Sequence, residues 1–275
     1  LKKPRLHLAL FRDFVSKCTM RQSARTLECH RRTVAHRLEL LGKHCRAFHR
    51  SMLERTRLRG EVSGIFQLDE LETFEHSRRL QPLTVPVLIE RTSFFIVHTA
   101  CAPLPTRGGL SPAWRAKKER LEKELGEKRR SGSVAAVRES FECLAKVHQP
   151  DGVVTVQTDR KKSYPPALRR SFGERVRHSR CSSKAVRDRR NTLFPINHTL
   201  AMMRDGLSRL VRRSWAAAKL RERLDWHLWI WIAYRNYVRG ITNEAPRVTP
   251  AMALGIERER WSRTELLARR VFDAA

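Results

Sequence analysis

GIFQLDEL, residues 64–71, is a short run of strand-forming side chains that follows a glycine and reaches its first acid at Asp69. Far downstream, GVVTVQTD, residues 152–159, does the same and ends on Asp159. An aspartate after a strand is often only a turn residue. Two of them, each closing a strand in a strongly basic chain, point instead to a divalent-cation site that faces a polyanion. Hard cations such as Mg²⁺ take oxygen ligands, and carboxylates supply them.

The charge supports this. The 275 residues carry 57 Lys and Arg against 28 Asp and Glu, a net charge of +29. An excess of this size is matched most naturally by nucleic acid. Hydrophobic residues make up 41%, enough for a real core. The six cysteines (Cys18, Cys29, Cys45, Cys101, Cys143 and Cys181) include no C-x-x-C pair. They argue against a disulfide framework or an internal zinc site and for a reduced, cytosolic chain. LDWHLWIWIAY is apolar but too short to span a membrane. The chain opens on Leu1 rather than Met, as it would if residues upstream, such as a zinc ribbon, were absent.

Outward from the two strands, the order of elements predicts the architecture. Residues 5–50 read as helical. Within them TMRQSARTLECHRRTVAHRLELLG gives two helices and a tight turn near 28–30, with Thr19 as N-cap and Gly42 as terminator. Val34, Leu38 and Leu41 mark the inner face of the second helix, which leaves Arg31, Arg32, Thr33, His36 and Arg37 on the outer one. This is a helix-turn-helix pattern, in which the start of the second helix meets base edges in the major groove. A basic linker, 51–62, follows. Strands are predicted near 63–70, 83–90 and 93–100, and then a charged helix (114–130) within an insertion at about 103–131. Next come a helix at 133–147, the strand that ends at Asp159, a short helix after Tyr164, a strand near 174–178, and helices at 198–213 and 216–238. A C-terminal extension occupies 241–275. Trp226, Trp229, Trp231 and Tyr234 form one broad helical stripe that suits packing better than base stacking.

This order predicts an α/β protein with a ribonuclease-H-like mixed sheet flanked by helices (63–240), preceded by a small all-α helix-turn-helix domain (1–50). In that architecture the first and fourth strands are neighbours, so Asp69 and Asp159 converge.

Three segments resemble the DDE transposases of short bacterial insertion sequences. QLDELETF is similar to the family's first-aspartate motif, TVQTDRKKSY to its second, and INHTLAMMRDGLSRLVRRSW to its third, a basic helix. The resemblance covers about residues 15–240. It implies an enzyme that uses Mg²⁺ or Mn²⁺, two ions, to cut and join double-stranded DNA at terminal inverted repeats. It also implies assembly as a homo-oligomer on DNA, in a bacterial cytoplasm beside the nucleoid. The third acid departs from the pattern, because alignment on the basic helix puts Asn197 where the family carries a glutamate. Asn197 offers a neutral carbonyl oxygen, and His198 beside it a nitrogen. Asp205 lies eight residues further on, about 12 Å along a helix, and cannot replace it.

Three readings stay open: an Asp69, Asp159, Asn197 site with or without His198; a site completed by Glu174 or Asp188; and a catalytically inactive, transposase-derived DNA-binding protein. A ribonuclease or resolvase acting on structured nucleic acid is a further possibility. Phosphate contacts are expected from Arg160, Lys161 and Lys162 beside Asp159, and from Arg204, Arg209, Arg212 and Arg213 on the basic helix. Glu70 and Glu72 are expected to approach the site no closer than its periphery.

Overall fold

The computed structural model describes residues 5–58, 62–149, 151–182, 184–186, 188–211 and 216–271. Three helices come first: α1 (Leu6–Phe14), α2 (Met20–Thr26) and α3 (Arg31–Arg57). Thr19 starts α2 with a reciprocal cap: its hydroxyl accepts from Gln22 N–H, and the Gln22 side chain accepts from Thr19 N–H at 2.7 Å. The turn to α3 passes through Glu28 in the left-handed region (φ 47°).

α3 departs from the expected short helix. Gly42 does not end it; the helix runs on for 27 residues, and residue 50 lies inside it. Glycine is needed here for close approach. A Cβ at this position would lie 2.4 Å from Trp226 Cβ and 2.7 Å from Trp226 Cα on the facing helix.

Six strands form one mixed sheet. They are β1 (Ile65–Phe74), β2 (Pro82–Glu90), β3 (Ile96–Thr99), the two-residue β4 (Ala102–Pro103), β5 (Val154–Thr158) and β6 (Val176–Arg180). The order is β3-β2-β1-β5-β6, with β4 also on β2. β1, β2 and β3 are antiparallel neighbours, whereas β1–β5 and β5–β6 are parallel. This is the ribonuclease-H order, with the first strand at the centre beside the second acid-bearing one. β2 is buried along its whole length and is correspondingly rich in branched side chains.

Helices cover both faces. α5 (Ser133–Val147) and α6 (Tyr164–Phe172) lie on the side that Glu70 faces. α7 (Phe194–Gly206) lies on the side that Gln67 and Asp69 face. The charged α4 (Pro112–Leu125) stops at Gly126, which takes the left-handed conformation (φ 70°), and none of its residues is buried. The predicted helix 198–213 is shorter than expected. Leu207 turns extended (φ −113°, ψ 111°), and a 3₁₀ turn follows at Ser208–Leu210. α8 (Arg221–Ala233) continues as a π turn, Tyr234–Val238, and two short helices follow, α9 (Pro250–Ala253) and α10 (Arg263–Ala268). Trp229 and Trp231 are buried, as a packing stripe requires. One apolar core includes side chains of α1 and α3 as well as the sheet. Among the described residues, no helix is long and apolar enough to cross a membrane.

α3 and the π turn seal the free edge of β3. The Asn236 side chain accepts from Ile96 N–H and donates to Ile96 C=O. His49 Nε2 donates to Val97 C=O at 2.9 Å, so its Nδ1 accepts from the Tyr237 hydroxyl. His227 is arranged likewise: Nε2 donates to Phe14 C=O and Nδ1 accepts from Arg209. Burial lowers the pKa of His49 to about 4; burial and then the Arg209 charge lower that of His227 to about 3. Unfolded, both take up a proton near 6.5. Below that pH the unfolded chain binds more protons than the folded one, so stability falls as pH drops, by about 1.4 kcal/mol per pH unit for each residue. Urea unfolding at pH 7 and pH 5 should show this loss; equal stabilities would refute the neutral-core assignment.

Candidate metal centre and nucleic-acid interface

The parallel register Leu68↔Thr158, carried on by one residue, sets Asp69 beside Asp159, with neighbouring strands about 4.8 Å apart. Strand alternation turns Gln67 and Asp69 to one face of β1, and Gln157 and Asp159 to the same face of their own strand. The pairing is visible two residues earlier, where Gln67 Nε2 donates to Gln157 Oε1 at 2.8 Å. Both acids are half-buried. Asp69 Oδ1 accepts from Glu70 N–H at 2.7 Å, and Asp159 Oδ1 accepts from Lys161 N–H at 2.9 Å. The Tyr164 phenol is pushed well above its ordinary range by burial and then by the charges of Glu70, Asp69 and Asp159.

Gln67 also fixes the start of α7. Its Oε1 accepts from Ile196 N–H at 3.1 Å, and its Nε2 donates to Thr192 C=O at 2.6 Å. The first turn of α7, which carries the half-buried Asn197, is thereby held over β1 two residues before Asp69. His198 is exposed and stacks on Phe194, with Phe94 edge-on, both at 5.8 Å. Phe94 belongs to the β2–β3 turn beyond Glu90, the partner of Phe66, about 10 Å up the strand from the position of Asp69.

The candidate replacement acids lie elsewhere. Glu174 precedes β6, at the Val154 end of β5, the end opposite Asp159. Asp188 is exposed, and its Oδ1 accepts from Arg190 N–H at 2.9 Å. Among the described residues, no group of three His, Cys, Asp or Glu side chains could hold a metal ion. Carboxylates on neighbouring strands are the kind of oxygen donor a hard divalent cation takes.

The basic residues divide. Arg31, Arg32 and His36 are exposed on the first turns of α3, and Thr33 is half-exposed. Arg37 is not on the outer face as expected: it is 4% exposed and donates to His7 Nε2 at 2.6 Å, because position 37 follows Val34 by three and falls on the inner stripe. Arg209 is likewise internal, at 7% exposure. The break at Leu207 turns it into the core against His227, and burial lowers its pKa to about 10. Arg160 and Lys162 are exposed beside Asp159, and Arg204 is half-exposed. Lys161 folds back onto Glu70 and Ser133. Arg212 and Arg213 lie outside the described residues.

The sheet order is that of a ribonuclease-H-like α/β fold. No family model and no curated protein matches the chain. Among solved structures it is similar to the catalytic domain of Mos1 mariner transposase, at 15% identity over 72% of this chain and 90% of that one, with a TM-score of 0.26. It is also similar to the Mos1 strand transfer complex, at 12% identity over 84% of this chain and 76% of that one, again with a TM-score of 0.26.

Proposed function

We propose that this chain is a DDE-type transposase that binds the terminal inverted repeats of its element, hydrolyses DNA at the element's end and transfers the freed strand to target DNA. The observation that carries this is the parallel register that ends at Leu68↔Thr158, one residue before Asp69 and Asp159, in a chain of net charge +29. Asp69 and Asp159, with Asn197 as third ligand, would hold Mg²⁺ or Mn²⁺, and two ions are the usual complement for such chemistry. The cation would supply Lewis acidity to the phosphoryl group and its attacking and leaving oxygens.

The remaining work falls to the chain. The exposed Arg31, Arg32, Thr33 and His36 would meet the major groove as the second helix of a helix-turn-helix. Arg160 and Lys162 would grip phosphates next to the scissile bond. In the first step, water oxygen attacks phosphorus and the 3′-oxygen of the element leaves as a hydroxyl. In the second, that hydroxyl attacks a target phosphate and displaces its 3′-oxygen. A dimer on paired ends, acting beside the bacterial nucleoid, completes the reading.

The second reading, a DNA-binding protein with a silent catalytic body, is favoured by one observation: no third acid joins the pair among the described residues. An assay of cleavage and strand transfer on repeat-ended DNA in Mg²⁺ and Mn²⁺ separates the two. Tight repeat binding without cleavage in either metal selects the silent protein. Asn197→Glu is expected to raise cleavage if the asparagine is a weakened ligand, and to abolish it if the site is adapted to a neutral oxygen; an unchanged rate removes Asn197 from the site. For recognition, Arg32→Ala should weaken repeat binding by about 1–3 kcal/mol, read by titration at fixed salt.

A further inference from the structure

Glu70 follows Asp69 but faces the opposite side of β1, where its side chain is only 8% exposed. Four donors from four segments fill its two oxygens. Thr84 of β2 donates at 2.6 Å and Ser133, the first residue of α5, at 2.8 Å, both to Oε2. Lys161 and Tyr164 donate to Oε1, the latter at 3.0 Å. Lys161 Nζ also reaches Ser133 Oγ at 2.9 Å. A carboxylate so enclosed has no coordination position left for a cation, which separates its role from that of its neighbour.

Two of the four donors bracket the segment that begins at Asp159. Lys161 and Tyr164 are both drawn to Glu70, and the Lys161 backbone N–H holds Asp159 Oδ1. A continuous path therefore runs from Asp69 through the adjacent Glu70 and Lys161 to the Asp159 carboxylate. Lys161 carries the ammonium on one side of the segment and the amide on the other.

We propose that Glu70 and Lys161 are a positioning pair that clamps residues 159–164 from the reverse face of the sheet and so sets Asp159 against Asp69, and that Lys161 is not a phosphate contact. The use made of Asp159 rests on the function proposed above; the clamp itself does not.

The test uses full-length protein carrying Lys161→Met or Glu70→Gln and takes three readings: amide hydrogen exchange across 159–164, Mn²⁺ affinity by titration, and DNA affinity as a function of salt. Both variants should speed exchange in that segment by about tenfold or more and weaken Mn²⁺ binding by about 10–100-fold. The salt slope of DNA binding should not change. Lys161→Arg, which keeps the charge, should restore part of the Mn²⁺ affinity. Should Glu70→Gln fail to fold, Lys161→Met carries the test, since that side chain is 38% exposed. Wild-type exchange in Lys161→Met, with a salt slope smaller by about one unit, would make Lys161 a phosphate contact and overturn the clamp. Exchange is read with or without metal. A wild-type protein that takes up no Mn²⁺ therefore defeats the proposed function and leaves the clamp to be judged on exchange alone.

Discussion

Replacing Asp69 or Asp159 with alanine is expected to leave repeat binding within about twofold and to cut metal-dependent cleavage by about a thousandfold or more, roughly 4 kcal/mol of barrier. The size follows from the geometry. The two carboxylates come from adjacent strands in parallel register, and either alone presents only half of the anionic pair that would hold the cation. Neither lies with the exposed Arg31, Arg32 and His36 on α3, so DNA affinity should survive. Single-turnover cleavage in Mg²⁺ and a repeat-binding titration on the same preparations make the comparison. A variant that still cleaves at a tenth of the wild-type rate would remove that residue from the chemistry and leave a cationic DNA-binding protein.

The second large effect is on stability. Alanine at Gly42 would ordinarily strengthen a helix by about 1 kcal/mol. Here the new methyl would meet Trp226 Cβ, Cα and C=O at 2.4, 2.7 and 2.9 Å. Two of those atoms are backbone and cannot rotate away, so α3 and α8 must separate along their shared interface. We expect Gly42→Ala to destabilise the protein by about 3 kcal/mol, lowering Tm by about 6 °C, and Gly42→Leu to do worse. Thermal unfolding measures it. A raised Tm for the alanine variant would show that the two helices are not in glycine-limited contact.

Gly42 also marks where sequence reasoning stops. A glycine after an apolar periodic run reads equally as a helix end or as a point of helix–helix approach, and only the partner, Trp226, more than 180 residues away, decides. The sheet was more legible. Strand-forming runs bounded by turns located β1, β2, β3 and β5 to within a few residues, although β1 runs on past Asp69 to Phe74 instead of closing there. Arg37 and Arg209 were misjudged because a single arginine on a helical wheel says nothing of a buried acceptor, and here histidines from distant segments, His7 and His227, supply it. The surroundings of Glu70 were not readable at all. Its four donors come from β2, α5, α6 and the loop after β5, and only the adjacency of Glu70 to Asp69 hinted at a role.

α3 has a mechanical consequence. A rod of 27 residues, about 40 Å long, begins with two solvent-facing arginines and, about two-thirds of the way along, lodges Phe48 and His49 among core aromatics. Torque applied at its basic tip is therefore delivered to the rim of the sheet instead of being absorbed by a hinge. If duplex DNA seated on that tip has to swing toward the aspartates, the compliance must come from the nucleic acid, and sequences that kink readily between the two points of contact should be the easier substrates.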